Sequence, residues 1–366
     1  MNGTVGNPGN LFRVIFAIAF LACAGAVSAG QEKRAADGDQ VTLQSACGQL
    51  PPGGVCLRLD DGKIELLHVQ GNVFMIAGAG PNITVQIGDD DVMVVDAGLA
   101  EASDHVLSAI RRLTKKHILF IVDTSADRDH TGGNANLSKA GMALPDASQN
   151  PSRAGEDFAS GAPILAHINV LRRMSEPPGK ESPLPSDLWP TDPYESRYWR
   201  IYNGEAVYLV HPPNAHTDGD TFVQFRRSDV LSIGDLMTLS SYPVIEAGNG
   251  GKIDGLIDAL NQIIELLVPK DSEEAGTYVI PGHGRICDRN DVVNYRDMVT
   301  IIRGRIQSLI DKGLTLDQVQ SAKPTFDYDG VYGSTTGPWT NQMFVEAIYK
   351  DLSGNKKQQP AGGGKQ

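Results

Sequence analysis

The chain has 366 residues, of which 41% are hydrophobic and 21% are charged. This length and composition predict one large folded domain or two smaller ones, and argue against a disordered or fibrous protein. The formal net charge of -12 argues against nucleic acid as a partner, because binding phosphate groups requires a basic face.

The first 29 residues are predicted to be a signal peptide. Arg13 precedes an uninterrupted apolar run, Val14–Ala22, that is too short to span a bilayer. Val27–Ala29 then offers small residues to a signal peptidase. We expect cleavage after Ala29, export to the periplasm or the extracellular space, and no membrane attachment afterwards. A retained membrane anchor and a lipoprotein attached at Cys23 are the disfavoured alternatives.

Residues 30–62 are polar and rich in Gly and Pro, which predicts an N-terminal extension. Within it, Cys47 and Cys56 bracket a turn-rich loop, and an oxidising compartment favours a disulfide between them. Cys287 follows His283 by four residues. A buried core thiol is favoured there over a metal ligand.

From Lys63 onwards, short runs rich in β-branched residues alternate with Gly- and Asp-containing turns, as in a β-sheet. One segment, from Glu101 to Leu113, instead spaces its apolar residues as a helix does. The predicted elements are strands at 66–77, 83–87, 92–96 and 117–123, and a helix at 101–113.

The second half repeats the same order of strands followed by helices, which predicts an α+β fold with helices packed outside a two-sheet sandwich. A Pro-rich excursion at 176–200 carries Trp189, Tyr194, Tyr198 and Trp199. A helical extension is predicted over 287–352, with a capping box of Thr315 and Gln318 inside it, and a disordered tail over 353–366. The other predicted elements are helices at 164–174, 252–267 and 291–312, and strands at 206–211, 221–226, 229–233 and 278–281.

The segment Asp123–Asn134 follows a buried apolar strand and is dense in metal-ligand residue types. Asp127, Asp129 and His130 offer hard and borderline donors that suit Zn²⁺. A rigid strand can hold such groups so that they converge on a site. A turn-and-cap interpretation accounts for Asp129 and the glycines after it, but not for the candidates downstream.

Three later strand ends carry a further His or Asp close to a glycine: His216, Asp235 and His283. A single His or Asp at a strand end is usually a capping or surface residue. Four strand ends that each carry a His or Asp close to a glycine predict one shared site.

These motifs, in this order, resemble the metallo-β-lactamase superfamily, which also contains glyoxalase II, lactonases and alkyl sulfatases. Val94–Gly98 resembles the first motif, whose aspartate, here Asp96, supports the metal loop from behind. The second motif, His-x-His-x-Asp-His-x-Gly-Gly-Asn, falls on Ser125–Asn134. The later His, Asp and His ligands fall on His216, Asp235 and His283. The resemblance implies a four-layer αββα sandwich over residues 63–286, with a two-metal site at one edge of the sheets.

The sequence departs from the family pattern at two positions. Ser125 stands where the family has its first histidine, and Asp127 where it has its second. In the family, these two positions and His216 hold the first metal. Asp129, His130 and His283 hold the second metal, and Asp235 bridges the pair. The resemblance therefore implies a complete second site and a first site that depends on Asp127, with Ser125 beside it.

The resemblance implies zinc as the cofactor, with one ion firmly bound and a second ion weakly bound or absent. Ser is a poor zinc ligand, whereas a carboxylate at Asp127 can reach a metal. A first site rebuilt on Asp127 is the alternative, and it would suit a harder ion such as Mn²⁺ or Fe²⁺.

The resemblance also implies a hydrolase that activates a water and cleaves an ester, lactone, thioester or lactam bond of a small molecule. Asp129 would orient the water, and with a single metal Asp127 would serve as general base. The rival is a catalytically degenerate metal-binding or sensing protein of the same fold. Five retained ligand positions favour the enzyme. The sequence does not indicate the substrate or the oligomeric state.

Overall fold

Two β-sheets lie face to face in the computed structural model, which describes residues 56–59, 62–142, 161–177, 183–271 and 276–358. The predicted signal peptide, Cys47 and most of the predicted N-terminal extension lie outside these residues. Cys56 is disulfide-bonded. The identity of Cys47 as its partner stays a prediction.

The first sheet has eight strands that follow one another in chain order. Strands 1 to 5 are antiparallel, and the last three run parallel to their preceding neighbours. Its strands are β1 (Cys56–Leu59), β2 (Ile64–Gln70), β3 (Val73–Ala77), β4 (Ile83–Gly88), β5 (Asp91–Val95), β6 (Ile118–Val122), β7 (Ile164–His167) and β8 (Asp192–Tyr194).

The second sheet has five strands, in the spatial order 13-12-11-10-9. In this sheet β12 and β13 run parallel to each other, and the other neighbouring strands are antiparallel. Its strands are β9 (Arg197–Tyr202), β10 (Glu205–Val210), β11 (Phe222–Phe225), β12 (Val230–Thr238) and β13 (Tyr278–His283).

Helices cover the outer faces of both sheets. They are α1 (Ser103–Leu113), α2 (Arg128–Thr131), α3 (Asn134–Ala140), α4 (Ile168–Ser175), α5 (Ile253–Leu266), α6 (Arg289–Asp311), α7 (Leu316–Ser321), α8 (Asp329–Tyr332) and α9 (Asn341–Gln358). No helix in the described parts of the chain is both long enough and apolar enough to cross a membrane.

Side chains alternate between the two faces of each strand, and this alternation gives the sheets an apolar surface on both sides. In β5, Val92 and Val94 face outward and pack with Val106 of α1, whereas Met93 and Val95 face the second sheet. A third apolar cluster lies between the second sheet and helices α5, α6 and α9. The order of layers is therefore helix, sheet, sheet, helix, which confirms the predicted αββα sandwich with C-terminal helices.

Four local predictions were wrong or incomplete. The run 66–77 is a hairpin that turns at Gly71, whose φ of +57° favours glycine. The predicted helix at 164–174 begins as strand β7, since a short buried apolar run does not reveal its secondary structure by periodicity. His167 then caps α4, because its Nδ1 accepts from the Asn169 amide. The excursion 176–200 contains β8 and the start of β9.

Helix α9 continues to Gln358, past residue 353, where the tail was predicted to begin. Leu352 is buried against the core and anchors the end of this helix. The Thr315–Gln318 capping box is confirmed.

Candidate metal centre

Asp96 and His130 form the buried base of the site. Asp96 follows β5 at φ +65°, a left-handed conformation that Asp tolerates better than most residues. Its carboxylate accepts from the backbone amide of Thr124 at 2.8 Å and from the Thr124 hydroxyl at 2.9 Å. The same carboxylate lies 3.0 Å from His130 Nδ1. This contact fixes the imidazole orientation and leaves Nε2 facing the site.

The loop after β6 carries the two altered positions, Ser125 and Asp127. Ser125 is buried, and its hydroxyl donates to Asp127 Oδ2 at 2.7 Å. Asp127 occupies the N-cap position of α2, yet its side chain makes no capping hydrogen bond. Its carboxylate lies 3.9 Å from His216 Nδ1 instead. The serine and the aspartate are thus one hydrogen-bonded unit directed at the site.

His216 enters from the loop between β10 and β11. Asp220, four residues later, places Oδ1 3.4 Å from His216 Nδ1. The Asp220 carboxylate is held by the Thr217 amide at 2.8 Å and the Thr217 hydroxyl at 2.6 Å. On the other side, the Glu246 amide donates to the His216 carbonyl at 3.0 Å.

Asp235 lies between two pairs of loop residues. The altered pair is Ser125 and Asp127, and the retained pair is Asp129 and His130. The pairing of β12 with β13 shifts register around Gly234, whose φ is +50°. This irregularity turns the Asp235 side chain into the site. Gly282 provides the space, since a Cβ there would lie 2.0 Å from Asp235 Oδ1.

Asp129 and His283 lie on the side of the site opposite Asp127 and His216. Asp129 Oδ2 lies 3.5 Å from His283 Nε2, and that nitrogen lies 3.6 Å from Asp235 Oδ1. Asn82 supports the His283 turn, because its side-chain amide donates to the carbonyls of Pro281 and Gly284, both at 2.9 Å.

The six predicted ligand residues separate into two groups. Within each group, ligand atoms from all three residues lie within 4.8 Å of one another. We define the first half-site as Asp127, His216 and Asp235, and the second half-site as Asp129, His130 and His283. Asp235 Oδ2 also lies 3.4 Å from His130 Nε2, which places this carboxylate between the two half-sites.

The charges at the site are strongly coupled. Burial alone would lower the pKa of His130, but the carboxylates of Asp96 and Asp235 outweigh it and raise that pKa well above its usual value. Burial likewise opposes the effect of Asp220 on His216, whose pKa rises to about 10. The three histidines lower the pKa of Asp235 despite its burial. A cation at the site would therefore compete with protons at His130 and His216.

Three buried atoms at the centre make no well-aligned hydrogen bond within the described residues, although carboxylate oxygens lie 3.4 Å from both nitrogens: His130 Nε2, His216 Nδ1 and Asp235 Oδ1. A buried polar atom without a partner is costly unless a ligand satisfies it. Imidazole and carboxylate donors are those that Zn²⁺ and related cations take. The residues present therefore fit a divalent cation in each half-site.

Other predicted candidates lie outside these groups. Cys287 is a free, buried thiol, and burial raises its pKa, as expected of a core cysteine. Trp189 packs with Ala126 of the metal loop, whereas Trp199 is exposed on β9. Tyr328, Tyr332 and Trp339 pack against the core beneath the second sheet.

Sequence reasoning did not identify Thr124, Asp220 or Glu246 as parts of the site. Asp220 carried a signal, because it follows His216 by four residues in a turn rich in Asp and Gly. Glu246 carried none, since it reaches His216 only through the fold.

Comparison with known proteins identifies the family. The model of the family described as "Metallo-beta-lactamase superfamily" matches residues 76–283, which is more than half of the chain. None of the curated proteins compared with the chain matches it.

Among solved structures, the chain resembles the stereoselective inverting sec-alkylsulfatase Pisa1 from Pseudomonas sp., with a TM-score of 0.53 at 16% identity. The match covers 81% of this chain and 51% of the sulfatase, so the chain spans about half the length of that enzyme. A metallo-beta-lactamase from Pontibacter korlensis matches with a TM-score of 0.45 at 13% identity, over 68% of this chain and 99% of the other. At these identities, the sulfatase match shows a shared fold.

Proposed function

This chain belongs to the metallo-beta-lactamase superfamily, and from that premise we propose that it is a metal-dependent hydrolase of a small-molecule substrate. The observation that carries the proposal is the meeting of two three-residue ligand groups around one shared carboxylate, Asp235, with unpartnered buried atoms at their centre. The family is rich in hydrolases, and this arrangement has the donors that their chemistry requires.

In the proposed site, Asp129, His130 and His283 hold the firmly bound cation, which we propose is Zn²⁺. Asp127, His216 and Asp235 hold a second cation more weakly. A divalent cation held there lowers the pKa of water towards neutrality and polarises the bond to be cleaved.

The side chains of the chain itself supply orientation and proton transfer. Asp129 is the more exposed of the two loop carboxylates, with 35% of its side chain accessible, so it can hold the attacking water and accept its proton. Asp96 keeps His130 in one orientation throughout, because its carboxylate is bound on both sides. We propose that the bond cleaved is an ester, lactone, thioester or lactam bond.

The experiment is a panel of chromogenic ester, lactone, thioester and lactam substrates assayed with the full chain. We expect turnover of at least one class, its loss after chelation, its return with added metal, and its loss in Asp129→Asn. Metal binding without turnover across the panel would favour the degenerate metal-binding alternative. Turnover that survives chelation would contradict a metal-dependent hydrolase. If Asp127 is instead the general base, Asp127→Ala will lose turnover while keeping its metal.

We further propose that the protein acts outside the cytoplasm after removal of residues 1–29. The disulfide at Cys56 supports this proposal, because disulfides persist mainly in oxidising compartments. N-terminal sequencing of the protein from its native compartment would test it: an N-terminus at Gly30 is expected, and an intact Met1 would contradict it.

A further inference from the structure

His167 and His211 form a stacked pair of imidazoles outside the metal centre. Their ring centroids lie 3.6 Å apart, and their planes are only 10° from parallel. His167 ends β7 and is buried, whereas His211 directly follows β10 and is half-buried. Neither ring belongs to the two half-sites, and the proposed hydrolysis gives neither of them a role.

The hydrogen-bond partners of His167 require a neutral ring. Its Nε2 lies 2.8 Å from the carbonyl oxygen of Glu195, which can only accept, so Nε2 carries the hydrogen. Its Nδ1 accepts from the Asn169 amide at 3.3 Å, so Nδ1 keeps its lone pair. A proton on Nδ1 would face an amide hydrogen and remove the N-cap of α4. The cap of this helix therefore exists only while His167 is uncharged.

His211 differs, because it can take up a proton without losing a hydrogen bond. Its Nδ1 donates to the Asp220 carbonyl at 2.8 Å, and its Nε2 makes no hydrogen bond within the described residues. A proton on Nε2 leaves the Asp220 contact intact. It also places a positive charge against the face of His167, where it opposes a second proton. The two rings therefore titrate as a coupled pair.

The surroundings of His167 favour its neutral form. Burial lowers the pKa of this ring, and a positive charge on His211 lowers it further, while the hydrogen bond to the Glu195 carbonyl opposes them without outweighing them. A histidine whose pKa is lower in the folded state stabilises the fold above its unfolded pKa, near 6.5, and loses that contribution as the pH falls through this value. The titratable groups around the two rings are those of Arg172, Tyr194, Glu195, Asp218 and Asp220.

The stacked pair joins α4 to the loop between β10 and β11. His211 holds this loop directly, through the Asp220 carbonyl. His167 holds it through α4, because Asn169, whose amide His167 caps, also donates its side-chain amide to the Asp218 carbonyl at 2.8 Å. Two attachments of the same loop therefore depend on the two imidazoles.

We propose that the His167–His211 stack is a pH-sensitive clamp that holds the loop carrying His216 at neutral pH and releases it in acid. A first proton from solvent binds His211 Nε2 and changes no attachment. A second proton binds His167 Nδ1, whose lone pair then no longer accepts from the Asn169 amide, and α4 loses its cap. The inference goes beyond the proposed function and does not depend on it, since it concerns the fold of the loop and neither ring is a metal ligand.

The test follows the full chain, as purified, by nuclear magnetic resonance and by hydrogen exchange. The His167 ring, labelled with ¹³C at Cε1, should titrate with a midpoint below about 6.5, the ordinary value for histidine. Between pH 7 and pH 5, amide protection in α4 and in residues 211–221 should fall about 5-fold, the effect of losing one helix N-cap. Protection is corrected for the intrinsic exchange rate at each pH, and α5 serves as the internal reference.

Two variants separate the clamp from other effects of acid. His167→Asn keeps an acceptor for the Asn169 amide, because Asn is a good N-cap residue, but it takes up no proton. Its α4 and loop should stay protected down to pH 5, although acid protonates the metal ligands equally in both proteins. His211→Asn keeps a donor for the Asp220 carbonyl and removes the stacked charge, so the His167 midpoint should rise. His117→Asn, at an exposed position before β6, is the matched control and should change neither measurement.

Three results would overturn the inference. They are a His167 midpoint at or above its ordinary value, an equal loss of protection in the unmodified protein and in His167→Asn, and a His167 midpoint that His211→Asn leaves unchanged. The first and third need no His167 variant, so the test stays decisive even if His167→Asn fails to fold. None of these measurements involves substrate or metal affinity, so the proposed function stands or falls separately.

Discussion

At the scale of single residues, metal binding depends on groups that hold the metal ligands in place. Asp96 is the clearest of them, because its buried carboxylate contacts both Thr124 and His130. Replacing it with alanine removes the acceptor for His130 Nδ1 and frees the imidazole to turn.

We therefore expect Asp96→Ala to weaken Zn²⁺ binding at the second half-site about 10- to 100-fold. Competition with a chromophoric zinc chelator measures this affinity. The matched control is Asp104→Ala, which removes an exposed carboxylate from α1. An affinity equal to that of the unmodified protein would contradict the role assigned to Asp96.

Gly282 allows a second prediction at this scale. A Cβ there would lie 2.0 Å from Asp235 Oδ1 and 2.9 Å from the Gly234 carbonyl carbon, so Gly282→Ala must displace Asp235 or the backbone. We expect a loss of about 1–3 kcal/mol in the free energy of unfolding, together with reduced metal content, measured by denaturant unfolding and elemental analysis.

Gly304→Ala is the control for this variant. Gly304 lies inside α6 with nothing within 4 Å of an added Cβ, so alanine there should stabilise the helix by about 0.5–1 kcal/mol. Equal stability of the two variants would contradict the steric argument.

At the scale of elements, the last strand delivers His283 and the longest helix begins six residues later. Asp288 caps α6 in a capping box, with its carboxylate accepting from the amides of Asn290 and Asp291. Asp288→Ala is expected to cost about 1 kcal/mol of unfolding free energy, and Asp288→Ser to cost much less, because Ser also accepts at an N-cap. Thermal unfolding of the two variants would show this order or refute it.

The turn between β13 and α6 also allows a prediction about how stability depends on pH. Burial alone would raise the pKa of Asp291, but two hydrogen bonds from Arg285, at 2.6 and 2.7 Å, lower it below its usual value. A carboxyl whose pKa is lower in the folded state stabilises the fold above its unfolded pKa, near 4, and loses that contribution as the pH falls through its folded pKa.

We therefore expect Asp291→Asn to be less stable than the unmodified protein at neutral pH, with a difference that shrinks below about pH 4. Denaturant unfolding measured from pH 3 to pH 7 tests this dependence. A stability difference that is constant over this range would show that the ion pair is not its source.

Sequence patterns predicted some helices and strands correctly and missed others, for physical reasons. Helix α1 has strong helical periodicity and β6 is an uninterrupted run of five apolar residues, and both were found where expected. Strand β7 was not, because a run of three apolar residues and a histidine occurs equally in a strand and in a buried helix, and its pairing with β6 and β8 decides between them. Strand β9 was hidden in a Pro-rich stretch because it is an exposed edge strand without a clear apolar alternation.

At the scale of the whole molecule, the sequence indicated the αββα sandwich and the six ligand residues through the order of motifs. The resemblance also implied how these residues divide between two half-sites. The bulge in β12 and the turn after β13, which bring Asp235 and His283 to the site, had no signal in the sequence. Nothing in the sequence pointed to Glu246, which meets His216 through a loop between β12 and α5.

The two sheets and the metal centre are also coupled energetically. Asp96 directly follows β5 of the first sheet and His130 lies in α2, which follows β6, whereas Asp235 and His283 belong to strands of the second sheet. A cation bound between them joins the two sheets, so binding stabilises the folded state by an amount that rises with the logarithm of metal concentration over the dissociation constant. We expect chelation to lower the midpoint of thermal unfolding and added Zn²⁺ to restore it, as followed by circular dichroism; a midpoint insensitive to metal would contradict this coupling.

The central claim is that this rewritten site still holds metal, and the metal content of the full chain, purified without chelator, tests it most directly. We expect about one firmly bound equivalent of metal per chain and a second equivalent that is lost on dialysis. Asp129→Asn should lose the firmly bound equivalent. A chain that carries essentially no metal, and takes none up when Zn²⁺ or Mn²⁺ is added, would contradict the account.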